Sequence, residues 1–585
     1  AKNTTPGLYF QKSPNSKFNI LVHPKDISRK DHIFIKQHWV SKNSELLAYA
    51  FLRNGSDWTE IKVVSLKSGK HKKDHLQGIK YSGIAWRDDG FYYSTFHQDD
   101  KFSQSIQQKV FYHKLGTKQE EDKLIFERKN RPYVHFYFKS IGNERFFILI
   151  EENELENKTN IFYIDFEKGH ELLRPLVMDV KGHLHVIGSH EGKLIITTSK
   201  DSNAGRVVLI DPEDPYNWKA ISPEYKNAVL LSTITCEDRI VTAYQVQQVT
   251  LIIIFDYQGN VIHTTKLPLA RSIGKFSRSN NEDELYFYYF SFTIPPVSFK
   301  LNIKNFEIEP MNRTTVTFDF EDIIYEELEY KSKDSVTVPM VIVYEKGIKL
   351  DGSNPVLLKA YGGFGHITQN NFDPGIVHFI KKGGIYAFAN IRGGGDKGEE
   401  WSKAGRGKFK QNSFDDFIAA AEFLIREKFT NPEKLAISGG SNGGLVVAAA
   451  AIQRPDLFKA VVPVVSPFDM LRFENFTIGH KHTDEYGTIS DSLSFLRLLD
   501  YSPYHNVSDS INYPSMLIIT SENDDRVPPL HSYKFVARMQ NRSIQKNPIL
   551  LKVEEQSGHY GALTHTSRIK SKADLYGFIM NEIMD

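Results

Sequence analysis

The sequence predicts two domains: an all-β propeller, followed by an α/β domain built on a mostly parallel sheet. Three observations carry that expectation. In the first half, a charged or polar turn followed by a short apolar and aromatic strand recurs six times. Beyond Asn312, short apolar runs alternate with amphipathic stretches, the pattern of strands separated by helices. The 585 residues also exceed what one hydrophobic core normally covers, so each domain can bury a core of its own.

The six turns are Lys42-Asn43-Ser44-Glu45, Asp88-Asp89-Gly90, Asn143-Glu144-Arg145, Glu191-Gly192-Lys193, Glu237-Asp238-Arg239 and Asp283-Glu284. The first apolar residues after them stand at 46, 91, 146, 194, 240 and 285, at intervals of 45 to 55. Strand-only units with a period of about 40 to 50 residues are the mark of propeller blades; a β-sandwich with coincidental spacing is the alternative. The blades are expected over 1–312, with a seventh assembled from strands at the two ends of that span. The α/β domain is expected over 313–585.

In that second domain the runs 356–358, 385–389, 435–437, 460–462, 516–519 and 549–551 read as buried parallel strands. Phe414, Phe417, Ala421, Leu424 and Ile425 recur at helical spacing between two of them. Ile569, Ala573, Leu575 and Ile579 mark the apolar side of a C-terminal helix in the same way.

Composition excludes several classes of function. Lys plus Arg number 73 against 71 Asp plus Glu, interspersed, so neither nucleic acid nor a membrane surface is an expected partner. A single cysteine, Cys236, cannot form an intramolecular disulfide or a thiolate cage, and there is no HExxH, so no metal site is expected. Gly393-Gly394-Gly395 lacks the Lys and Ser/Thr of a phosphate loop and reads as a turn, so no cofactor is expected either. No apolar stretch reaches the roughly 18 residues of a membrane span. The start, Ala1-Lys2-Asn3, has neither an initiator Met nor a signal-peptide core, as if an upstream segment had been removed. A cytoplasmic location is the expectation, with a secreted or periplasmic mature form as the alternative.

Gly439-Gly440-Ser441-Asn442-Gly443-Gly444 follows the run 435–438 and precedes the small-residue stretch 445–451. Strand, sharp turn and helix make this a nucleophile elbow, with Gly439, Gly440 and Gly443 removing side chains that would crowd the serine. The helix start favours negative charge beside Ser441. A serine needs a base to take its proton and an acid to orient that base. Asp524 follows the strand 516–519, and His559 follows the strand 549–553. Loops at the carboxyl ends of parallel strands converge on one crevice. The order Ser, Asp, His is that of an α/β-hydrolase. Asp525 and Glu522 are rivals for the acid, and His565 for the base.

These residues, with Tyr361-Gly362-Gly363-Phe364, 389–395, Arg454-Pro455-Asp456-Leu457-Phe458, Tyr501-Ser502-Pro503, Tyr513-Pro514-Ser515-Met516-Leu517 and Asp524-Asp525-Arg526-Val527-Pro528, resemble the prolyl oligopeptidases over nearly the whole chain. The resemblance implies a propeller that sieves short peptides from folded proteins, in a probable-substrate range with no nucleic acid or membrane partner and a monomeric state. It implies Ser441 as nucleophile, His559 as base, Asp524 as its orienting acid, and the Tyr361 hydroxyl with the Asn442 amide as oxyanion donors. Arg526 would hold a substrate carbonyl, and Phe364, Tyr486 and Val527 would line the pocket for proline. Two features depart from the family. His482 stands where a tryptophan is usual, which places the strictness of proline selection in question, and an N-terminal helical segment is not seen. A non-catalytic binding protein and an esterase or thioesterase are the competing readings.

Overall fold

A computed structural model describes residues 6–11, 16–131, 133–153, 158–182, 184–225, 227–236, 238–246, 249–267, 272–278, 283–312 and 322–584. Residues 1–3, Glu237 and the stretch just after the expected boundary, 313–321, lie outside them.

Among the described residues the propeller has six blades, spanning 33–80, 85–127, 135–180, 184–220, 228–266 and 272–312. Five are four-stranded antiparallel sheets, and the sixth has five strands because its first strand is split into Ser272–Ile273 and Ser277–Arg278. Each of the six sequence turns leads into the second strand of one blade: Leu46–Arg53, Gly90–His97, Phe146–Asn153, Lys193–Thr198, Arg239–Val246 and Glu284–Phe290. Period-two apolar residues on these strands bury themselves between blades rather than within one. Ile148, Ile161, Leu194 and Ile210 form one such cluster between the third and fourth blades, and Val241, Ile254, Leu285 and Leu301 another between the fifth and sixth.

The expected seventh blade is corrected by this count. Its C-terminal strands are already used, since Ile308–Asn312 completes the sixth blade. The N-terminal strands Leu8–Phe10 and Asn19–Val22 pair with each other, and Leu21 and Val22 pack on Leu47, Tyr49 and Phe51 of the first blade. With both ends engaged locally, no strands among the described residues are left to join across them.

The second domain is an eight-stranded sheet ordered 323–331, 337–345, 385–389, 356–360, 435–440, 460–464, 515–521 and 549–554. The first two strands are antiparallel, and the remaining six, the ones the apolar runs predict, are mutually parallel. Helices cover both faces. Gln411–Arg426 and Asn442–Gln453 pack on one, through Phe414, Phe417, Ala421, Leu424 and Leu445. Pro374–Lys381 and His565–Ile583 pack on the other. In the last helix the buried side is Tyr576, Ile579 and Ile583, whereas Ile569 and Ala573 are exposed. That side is set by a close approach: a Cβ on Gly375 of the neighbouring helix would lie 2.0 Å from the Tyr576 ring.

The propeller sits over the carboxyl ends of the parallel strands. Ser105 N–H donates to Thr477 O at 2.7 Å and Thr477 N–H to Phe102 O at 3.2 Å, joining the second blade to the loop after 460–464. Asn523 Nδ2 donates to Asn54 O at 3.0 Å, and Asn370 N–H to Ser272 Oγ at 2.8 Å.

Candidate active site

Ser441 lies between the strand Leu435–Gly440 and the helix Asn442–Gln453, at φ 55° and ψ −121°. This left-handed, strained backbone lifts the side chain out of the sheet. The neighbours that permit it are only partly those expected. A Cβ on Gly439 would stand 2.1 Å from Gly443 O, and one on Gly443 2.5 Å from Ala360 O. Gly440 differs: its Cβ would meet nothing nearer than Val464 O at 3.8 Å, so close packing does not demand a glycine there.

The three strand-end loops bring the expected side chains together. His559 Nε2 stands 3.1 Å from Ser441 Oγ, and His559 Nδ1 stands 2.9 and 3.1 Å from the two carboxylate oxygens of Asp524. Asp524 is fully buried and accepts the N–H groups of Arg526 and Val527 at 3.0 and 2.9 Å, which fixes its rotamer. The rivals lie elsewhere. Asp525 turns to the first blade, accepting from Ser56 Oγ at 2.6 Å and Asp57 N–H at 2.9 Å; Glu522 accepts from Gln556 N–H; His565 begins the C-terminal helix and is exposed.

Tyr361 follows the strand Val356–Ala360 and lines the same cavity as Ser441. Burial pushes that phenol well above its ordinary range, so it is a neutral donor at any working pH. Asn442 is the first residue of the helix; its side chain donates to Tyr361 O at 2.6 Å and accepts from the Tyr486 hydroxyl at 3.1 Å.

Ser441 opens into a cavity of about 730 Å³ lined from both domains. Phe364, His482 and Tyr486 stand edge-on to one another around one side of it, with ring centroids 5.0, 5.8 and 6.2 Å apart. Val527 also lines the cavity. Burial, with Arg526 nearby, pushes the imidazole of the half-buried His482 down to about 3, so it is a neutral wall of the cavity.

Arg526 reaches into the same cavity, and its Nε and Nη2 donate to Asp57 of the first blade at 3.0 Å, with Nη2 also donating to the Tyr560 hydroxyl at 3.2 Å. Burial raises the Asp57 carboxyl, yet the charges of Arg526 and Lys36 and the bond from Tyr81 outweigh it and hold that carboxyl below its ordinary value. Asp57 is absent from the sequence expectations. In Asn54-Gly55-Ser56-Asp57 it reads as an ordinary turn residue. Among the described residues no group of three or more His, Cys, Asp or Glu side chains could hold a metal ion.

Comparison with known proteins fits this geometry. Residues 6–314 match the prolyl oligopeptidase N-terminal β-propeller domain, and residues 370–585 match the prolyl oligopeptidase family. A prolyl endopeptidase of Elizabethkingia meningoseptica is 32% identical over 586 aligned positions, covering 98% of this chain and 82% of that protein. One from Dictyostelium discoideum is 30% identical, covering 95% and 81%. A structure from a mechanistic study of two prolyl endopeptidases, 32% identical, superposes with a TM-score of 0.95 over 99% of this chain and 86% of that one. Prolyl oligopeptidase B of Galerina marginata, solved with a 25mer macrocyclization substrate, is 27% identical with a TM-score of 0.92. With both domains matched to the family and the whole fold superposing on a prolyl endopeptidase structure, the chain belongs to the prolyl oligopeptidase family of serine-type peptidases.

Proposed function

We propose that the protein is an oligopeptidase that cleaves short peptides after proline through an acyl-enzyme on Ser441. The single observation that carries this reading is the hydrogen-bonded relay from Ser441 through His559 to Asp524, opening into a cavity shared by the two domains. Ser441 Oγ attacks the scissile carbonyl while His559 Nε2 takes its proton; Asp524 keeps the other ring nitrogen protonated and stabilises the imidazolium. Negative charge developing on the carbonyl oxygen meets the Tyr361 hydroxyl and the Asn442 amide at a helix start. His559 then gives its proton to the leaving amine, and an ester of Ser441 remains. Water repeats the sequence in reverse, releasing the carboxylate product and restoring the serine.

The flat aromatic walls of Phe364, Tyr486 and His482, with Val527, suit a proline ring before the cut. Arg526 gives Nε and Nη2 to Asp57 and Tyr560, and Nη1 is the group we assign to a substrate carbonyl. The position of the cavity, lined by both propeller and catalytic domain, favours peptides over folded proteins. The relatives named prolyl endopeptidase support the choice of proline. The division into 1–312 and 313–585 is supported by the change from blades to the eight-stranded sheet. We assign a monomeric, cytoplasmic state on composition alone; no helix among the described residues is long and apolar enough to cross a membrane.

The test is labelling by a fluorophosphonate together with cleavage of a blocked Gly-Pro amide and of a simple aryl ester. Ser441→Ala should lose both labelling and cleavage. An enzyme that hydrolyses the ester but not the Gly-Pro amide would overturn the peptidase reading.

A further inference from the structure

The turn Tyr361-Gly362-Gly363-Phe364 carries both the proposed oxyanion hydroxyl and one wall of the pocket, and its backbone is held in an unfavourable shape. Gly362 has φ 61°, and Phe364, with a full side chain, has φ 56°. A left-handed aromatic residue persists only when its surroundings impose it. Besides the Asn442 bond to Tyr361 O, two bonds to this turn come from one buried ion pair. Glu485 Oε2 accepts the Phe364 N–H at 2.6 Å, and Lys410 Nζ donates to Gly362 O at 3.2 Å. Lys410 Nζ and Glu485 Oε1 are themselves 2.5 Å apart, with side chains 0% and 2% exposed.

The two charges come from different places. Lys410 immediately precedes the helix Gln411–Arg426, and Glu485 lies in the helix Thr483–Tyr486, next to the pocket residue Tyr486. Arg406 Nε adds a more distant charge, 3.5 Å from Glu485 Oε2. Burial acts against both partners, pushing the Glu485 carboxyl up and the Lys410 ammonium down. A buried pair of this kind is a poor source of stability, because apolar side chains of similar volume often serve as well. What apolar side chains cannot do is grip a backbone N–H at one end of a turn and a backbone carbonyl at the other.

We propose that Glu485 and Lys410 are positioning residues, which together hold the Tyr361–Phe364 turn so that the Tyr361 hydroxyl meets the oxyanion. The inference rests on the reading of Tyr361 as an oxyanion donor, and it assigns no direct contact between the ion pair and the reacting atoms.

The test is a kinetic cycle on a blocked Gly-Pro amide, using Tyr361→Phe, Glu485→Gln and the two combined. Glu485→Gln should lower kcat roughly tenfold to a hundredfold, part of the loss expected for an oxyanion donor, with KM changed less than about threefold. In the Tyr361→Phe background the same replacement should lower kcat by less than about threefold more. A fourth variant, Lys410→Met with Glu485→Leu, removes both charges of the pair, while Arg406 keeps Asp484 at 3.0 Å. It should melt close to the parent yet keep the low kcat. Full kcat in folded Glu485→Gln, or equal losses in both backgrounds, would overturn the positioning role. Failure of both Glu485 variants to fold would also overturn it, by assigning the pair to stability. Full kcat in Tyr361→Phe would instead remove the oxyanion reading.

Discussion

His482 lines the cavity beside Ser441, where the resemblance to the family leads one to expect a tryptophan. Its ring meets Phe364 edge-on at 5.0 Å and is kept neutral by burial, so it offers a smaller apolar wall than an indole. Losing stacked aromatic area costs about 0.5 to 1.5 kcal/mol. His482→Trp is therefore expected to raise the preference for proline over alanine before the cut by up to about tenfold in kcat/KM. Equal ratios in the two enzymes would refute this. Asp524 makes a different prediction, because both its oxygens face His559 Nδ1. Asp524→Asn should leave the fold intact and lower kcat by roughly 10⁴-fold, through loss of the correct tautomer. A loss of less than tenfold would show that another acid orients the base. The three relay residues are legible in the sequence because each follows a parallel strand in the expected order. Asp57 is not, since it lies 469 positions from Arg526 and only folding joins them.

At the scale of elements, the serine elbow separates glycines that look alike in the sequence. Gly443 passes against Ala360, the last residue of the strand before Tyr361, whereas a Cβ on Gly440 would make only an ordinary contact with Val464 O. Gly443→Ala should therefore destabilise the protein by about 1 to 3 kcal/mol in chemical denaturation, the range of overpacked sites. Gly440→Ala should change stability by less than about 0.5 kcal/mol. A reversed order would mean that the backbone shape, rather than the neighbouring atoms, sets the requirement. The parallel strands are legible because continuous apolar runs are what a doubly covered sheet demands. The C-terminal helix is less so: the spacing of Ile569 and Ala573 is right, yet Tyr576 is the residue that docks against Gly375. The six blade turns are legible because they recur at a nearly fixed period, while a seventh blade depends on which partners free strands find.

At the scale of the whole molecule, His135 of the third blade and His480 of the catalytic domain stack across the boundary with ring centroids 5.7 Å apart. Among the described residues none hydrogen-bonds to either ring. Burial, with Lys481 alongside, pushes His480 down to about 3 and His135 well below its ordinary value. Unfolded, both titrate near 6.5. Their stabilising contribution is thus present above about pH 6.5 and is lost as pH falls from there toward about 3, where protons bind the open chain first. Denaturation midpoints are expected to fall across that window. Replacing both histidines by phenylalanine should make the fall shallower, by up to about 1.4 kcal/mol per pH unit for each proton removed from the balance. An unchanged slope would assign the acid sensitivity to other groups.

The paired main-chain bonds between Thr477 and the loop of Phe102 and Ser105 have a wider consequence. Five residues downstream of that clasp stands His482, and Tyr486 follows in the next turn. Tilting the ring of blades would tug directly on the wall that judges the substrate's side chain. Entry and taste are mechanically one property here, so a chimaera carrying a relative's propeller should acquire that relative's residue choice along with the width of its mouth.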